Sequence, residues 1–159
     1  MDSSSLHNIF IVLHTVTAVI SFLAGGLLLY SRAYATNRTL FGLYFWTLVA
    51  MAILLAGAII VYWDGYSDTE QVVYPALSGL AVFMLFRGWG AGLVLNTQQK
   101  GWKLGYVEHI GFTLISLFEG FIIVSGLNAG LPGWLIAVVA VLGLLAGRWL
   151  IASAKQKTA

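Results

Sequence analysis

The sequence predicts an all-α fold: a polytopic transmembrane helix bundle of five spans, with the N-terminus outside and the C-terminus in the cytoplasm. Three observations predict it. The 159 residues are 60% hydrophobic and only 9% charged, with a mean hydropathy of +0.90, where a soluble domain carries about a quarter charged residues. The apolar residues fall into five long runs. The basic residues gather in alternate connections between those runs. A soluble fold could not hide this much apolar surface, whereas side chains that face lipid can be apolar.

A spanning helix needs about 20 predominantly apolar residues. The first run, Ile9 to Tyr30, follows an acidic, serine-rich opening. Ala33-Tyr34-Ala35 resembles a cleavage site, but the acidic leader and the long run mark a retained span rather than a secretory signal. The second run, Leu40 to Trp63, lies between the connections Ser31 to Thr39 and Asp64 to Gln71. In the third, Val72 to Leu95, Gly88 and Gly92 stand four apart, a spacing that lets helix backbones approach closely. The connection Asn96 to Lys103 leads into the fourth run, Leu104 to Leu127. Asn128 to Gly133 reads as a helix stop, a turn and a restart, with Pro132 near the first position of the next helix. The fifth run, Trp134 to Ile151, is short and carries Gly143 and Gly147, again four apart. Connections this short make sequential helices antiparallel neighbours. The chain reads as one membrane-embedded unit from residue 1 to 159, with no internal repeat and no soluble domain.

The charges set the orientation. Arg32, Arg38, Lys100, Lys103, Arg148, Lys155 and Lys157 all fall on one side when the odd connections are cytoplasmic, and Asp2, Asp64, Asp68 and Glu70 fall on the other. Short loops rich in Lys and Arg stay in the cytoplasm. This distribution accounts for a pI near 9.0 without a nucleic-acid partner. On the cytoplasmic side the sequon Asn37-Arg38-Thr39 carries no meaning. Tyr30, Tyr34, Trp63, Tyr66, Tyr74, Trp102, Tyr106 and Trp134 cluster near the ends of the runs, as an interfacial aromatic belt would.

Function is written less plainly. With no cysteine, thiolate metal sites, iron–sulfur clusters and cysteine nucleophiles are excluded. Hydrolytic triads, metal clusters and phosphate-binding loops also lack their motifs, so no catalytic or metal-ligating residues are assigned. Ionisable residues within spans are costly and stand as functional candidates. These are His14, Arg87, Glu108, His109 and Glu119. At a helix rise of about 1.5 Å per residue, His14 and Glu119 lie roughly 22–24 Å above the cytoplasmic ends of their spans, Arg87 near mid-depth, and Glu108 and His109 only about 6–8 Å up. Glu108 and Glu119 are eleven residues apart, close to three turns, so both point to one face, and Arg87 is expected to pair with one of them.

Three functions follow from this set. The first is a non-enzymatic binding or accessory subunit, with membrane lipid and other membrane subunits or a second copy as partners. The second is a single-His haem or chlorophyll-type pigment site, with His14 or His109 as axial ligand. One haem cannot use both, because their depths differ by about 16 Å. The third is a proton or small-solute pathway through Glu119, His14 and Arg87. Such a path would have to be lined by Thr15, Thr17, Ser21, Thr47, Ser78, Asn96, Thr113, Ser116 and Ser125.

Leu13-His14, Asn37-Arg38-Thr39-Leu40-Phe41-Gly42, Phe86-Arg87-Gly88-Trp89, Glu108-His109-Ile110-Gly111 and Leu131-Pro132-Gly133-Trp134 together resemble short motifs of an uncharacterised family of small bacterial membrane proteins. That family has a histidine where Asn37 stands. The resemblance spans most of the chain. It implies a bacterial inner-membrane location and marks His14, Arg38, Gly42 and His109, without implying an activity.

Overall fold

In the computed structural model, which describes residues 2–30 and 36–158, the order is α1 (Ser3–Tyr30), α2 (Arg38–Val61), a single 3-10 turn (Trp63–Gly65), α3 (Asp68–Thr97), α4 (Trp102–Asn128) and α5 (Gly133–Thr158). No strand occurs among the described residues. The first four helices are long and apolar enough to cross a membrane; in α5 the apolar part is Gly133–Trp149. Each helix begins before the apolar run read from the sequence, because polar residues extend the backbone beyond the hydrocarbon-compatible stretch; α2 ends at Val61, two residues short of the expected Trp63, which lies in the 3-10 turn. Arg32, Tyr34 and the Ala33-Tyr34-Ala35 stretch lie outside the described residues.

Local chemistry sets the helix ends. The Asn37 side chain accepts from the Leu40 N–H at 2.9 Å to start α2. Ser67 and Glu70 form a reciprocal capping box at the start of α3, and the Ser67 N–H donates to Glu70 Oε2 at 2.9 Å. After α4 the chain turns through Gly130 at φ +71°, where the Leu131 N–H reaches back to Gly126 O at 3.0 Å. The Pro132 carbonyl then accepts from Leu135 and Ile136 to open α5.

Sequential helices run antiparallel, and the register is visible in side-chain contacts. Between α1 and α2, three polar side chains seven residues apart each bond a backbone carbonyl of the other helix. His7 Nδ1 lies 3.1 Å from Ala58 O, His14 Nδ1 3.0 Å from Met51 O, and the Ser21 hydroxyl donates to Tyr44 O at 3.1 Å. The acceptors are also seven apart, as knobs repeating every two turns require. Gly88 faces Phe45 and Leu48, and Gly92 faces Phe41, so the four-residue spacing on α3 is the α2 contact face. Phe83 meets Phe112 edge to face across α3 and α4. Gly126, Gly143 and Gly147 meet Ile136, Glu119 and Ile115, so α5 lies antiparallel along α4 and packs chiefly on it.

The core is the basic half of α1, α2, α3 and α4, around Leu28, Leu48, Ile110 and the fully buried Tyr44 and Tyr106. Thr113 donates to Ile110 O at 2.8 Å, so it is the Tyr44 O–H that donates to Thr113, at 2.6 Å. Tyr106 is therefore a core residue and not part of the interfacial belt: it stacks edge-on with Trp102, and Phe41 closes over it. The outward faces are strongly apolar, with Ile60, Val72, Phe86 and Phe121 each about 70% exposed. Water would not tolerate such a surface, and hydrocarbon requires one.

Charge divides between the ends of the bundle. Asp2, Asp64, Asp68 and Glu70 occupy one end, hereafter the acidic end. Arg38, Lys100 and Lys103 occupy the other, where Arg38 donates to Asn96 Oδ1 at 2.8 Å and ties the start of α2 to the end of α3. Arg148 is exposed and adjoins Gly147, so it lies level with Leu114 and Ile115, well up α4 rather than at its basic end.

Candidate functional site

Toward the acidic end, the four helices α1 to α4 surround a cavity of about 310 Å³. Its floor and back are buried or half-buried side chains of α2 and α3, among them Met51, Ile59, Ala81 and Met84. Its exposed wall residues all belong to α1 and α4: Ile11, Thr15, Val19, Phe22 and Leu23 on one side, Phe118 and Phe121 on the other. The mouth therefore lies between α1 and α4 and opens sideways, onto the apolar surface of the bundle. Below it the two helices close where Gly25 meets Leu114, a contact that a Cβ would crowd at 2.9 Å.

Polar groups in this cavity are few: His14, Thr15, Ser116, Tyr66 and Tyr74. The last two belong to an aromatic cluster at the acidic end. Tyr66 meets Tyr74 edge-on at 4.7 Å, and His7 stacks on Tyr62 at 4.6 Å. Burial, with the Glu70 carboxylate and Tyr62 adding to it, pushes the Tyr66 hydroxyl up to about 12. His14 is fixed by its bond to Met51 O. A carbonyl can only accept, so Nδ1 carries the proton and Nε2 is the ring nitrogen left for a ligand.

The remaining candidates are not gathered there. Arg87 pairs with Glu108, not Glu119: Nη2 lies 3.5 Å from Glu108 Oε1 and 3.2 Å from the Glu108 carbonyl, and the guanidinium covers the Phe112 ring at 5.3 Å. His109 packs its ring against Gly90, so close that a Cβ there would stand 2.6 Å from Cε1. It lines neither this cavity nor the second one.

Glu119 turns to the other side of α4, into a separate cavity of about 300 Å³ shared with α5. There it lies over Gly143, and its Oε1 is buried with no hydrogen-bond partner among the described residues. Phe22 and Phe118 line both cavities and stand between His14 and Glu119. The side chains that a polar pathway would need are mostly engaged elsewhere: Thr17, Thr47 and Ser78 bond carbonyls of their own helices, Ser21 bonds α2, and Asn96 bonds Arg38. Thr15 and Ser116 alone of that set line the cavity with His14. Among the described residues no group of three or more His, Asp or Glu is placed to hold a metal ion.

Sequence reasoning missed Met51, Tyr66 and Gly90 as partners of the histidines, and Tyr74 as part of the cavity wall. One signal was legible: His7, His14 and Ser21 recur every seven residues on one face, which is the spacing of the ladder to α2.

The chain matches no protein-family model, no curated protein and no solved structure.

Proposed function

We propose that the chain is a five-span, non-enzymatic binding protein of a bacterial inner membrane, N-terminus outside and C-terminus cytoplasmic, whose cavity beside His14 takes up an apolar molecule from the lipid. The observation that carries this is the cavity itself: almost wholly apolar, built by four helices, and open sideways between α1 and α4 onto a lipid-compatible surface. Ligand sites are concave, mainly apolar and furnished with a few placed polar groups. The fifth span is supported by the antiparallel register of α5 along α4. The orientation is supported by the separation of acidic and basic ends.

The test is mass spectrometry of the protein purified in mild detergent, with its absorption spectrum. The wild-type chain should retain an apolar small molecule that Ala18→Phe, which fills the cavity, excludes. Identical complements in both proteins overturn the proposal. An intense visible band lost in His14→Ala identifies the ligand as a tetrapyrrole or related pigment in this cavity. A band lost only in His109→Ala puts the binding elsewhere and overturns it.

Association with another membrane subunit is favoured by Arg148, exposed on α5 level with Leu114. A charge at that depth is costly unless it is paired or reaches the interface. A neighbour offering a carboxylate would satisfy it. Arg148→Gln should then shrink the complex seen on native gels of mildly solubilised membranes, and an unchanged size removes this reading.

A further inference from the structure

The polar atoms of the cavity are unequal in what they can still do. The Nδ1 proton of His14 is engaged by Met51 O at 3.0 Å, and in its neutral form the ring presents Nε2 as an acceptor only. Thr15 gives its hydroxyl proton to Ile11 O at 2.9 Å. Tyr74 gives its proton to Glu70 Oε1 at 3.3 Å, and Tyr66 is directed at Ala58 O. Each of these keeps lone pairs and has no hydrogen left to offer. Among the described residues, Ser116 is the one wall side chain whose proton is not directed to such an acceptor. A carbonyl, ether or anionic head group entering this space would find one donor, the Ser116 hydroxyl, among acceptors of like polarity, whereas a hydroxyl can both donate and accept here. A molecule that brings a donor finds Nε2 waiting.

We infer that the cavity selects its ligand through a hydroxyl group, donated to Nε2 of His14, on an otherwise apolar molecule; this rests on the cavity holding an apolar ligand as proposed above. The backbone bond from Nδ1 fixes both the tautomer and the ring orientation, so the acceptor is preorganised and loses little freedom when the ligand arrives. The mouth between α1 and α4 admits a chain or ring system from the bilayer, and the hydroxyl is the part that meets the wall at His14. Long-chain prenols and membrane quinols both have this chemistry.

The experiment uses the full chain in lipid nanodiscs and measures equilibrium binding of geranylgeraniol, its methyl ether, and a decyl-substituted benzoquinol with the matching quinone. One hydrogen bond's net worth makes the alcohol bind about 3- to 10-fold tighter than the ether, and the quinol tighter than the quinone by a similar factor. His14→Phe keeps the ring volume and removes the lone pair, so it should bring alcohol and ether to equal affinity while the ether binds as before. The quinol–quinone comparison needs no variant and stands if His14→Phe fails to fold. Stronger binding of the quinol than of geranylgeraniol points to the quinol pool as the source, and the reverse order to prenols; both support hydroxyl selection. Equal affinities within each pair in the wild-type chain overturn hydroxyl selection and leave an apolar-ligand site. Binding of none of the probes, or binding unaffected by Ala18→Phe, overturns the cavity as a ligand site and this inference with it.

Discussion

Gly90→Ala isolates what His109 does. A methyl at this position would stand 2.6 Å from Cε1, 3.0 Å from Nε2 and 3.1 Å from Nδ1 of the His109 ring. Three atoms of one rigid plane are met at once, so rotating the tip of a flexible chain cannot relieve the crowding. The ring or the helix must move. Overpacking of this kind costs about 1–3 kcal/mol, and a rigid ring places it near the upper end. Against this, alanine is a better helix former than glycine by about 1 kcal/mol. The net expectation is a loss of about 1–2 kcal/mol. Gly79→Ala on the same helix meets nothing within 4 Å, so only the propensity gain applies and it should be neutral to stabilising.

Adding His109→Ala removes the obstacle, and in that background Gly90→Ala should become neutral or stabilising. Unfolding in mixed micelles of mild detergent and sodium dodecyl sulfate, followed by helicity, measures all four proteins. If Gly90→Ala proves as stable as Gly79→Ala, or if its penalty persists without the imidazole, then His109 is not a knob seated in a glycine hole and the α3–α4 interface has been misread.

Three further outcomes follow from the packing. Arg87→Ala and Glu108→Gln should couple by about 0.5–1 kcal/mol in a double-mutant cycle, a value kept small by the exposure of Glu108, whereas Arg87→Ala and Glu119→Gln should be additive; coupling to Glu119 instead would reverse the pairing. Gly147→Ala brings a methyl to 2.5 Å from Ile115 Cγ2, a β-branch that cannot swing away within a helix, so hydrogen exchange should rise in α5 with α1 to α3 unchanged; Gly26→Ala, with open space around it, is the control. The Tyr66 hydroxyl holds its proton to about 12, against about 10 in an unfolded chain, so the folded state is favoured below pH 10 and loses that advantage as pH rises toward 12. Thermal stability should therefore fall less steeply over this window in Tyr66→Phe than in the wild type, and an identical slope would remove Tyr66 as a contributor.

Helix content and lipid compatibility are written in local features of the chain. Runs of apolar residues of bilayer length admit only helices, because backbone groups in hydrocarbon must be satisfied within the segment. The capping pair Ser67 and Glu70 and the turn at Gly130 are likewise local, as is the four-residue glycine spacing that became the α2–α3 and α4–α5 contact faces. Charge separation was legible for a similar reason, since it depends only on the order of spans. Arg148 was the exception: it sits close to Lys155 and Lys157 in sequence, yet the register of α5 on α4 carries it level with Leu114.

The ionisable residues could be named from the sequence and could not be joined. Their depth is a one-dimensional quantity, which rise per residue supplies. Which way each side chain points depends on helix rotation and on which helices touch, and both are decided by packing across the whole bundle. Equal depth suggested that His14 and Glu119 belong together, but opposite faces of α4 put them in different cavities with Phe22 and Phe118 between. Arg87 could have reached either carboxylate by height, and the α3–α4 register gave it Glu108. The sequence by itself determined that this chain is a set of apolar helices with basic and acidic ends, because those properties follow from composition along one strand of chain. Only the tertiary structure decided that His14 lines a cavity open on the apolar side of the bundle, with its proton given to Met51 and one lone pair left over, because that requires four helices to meet at fixed rotations.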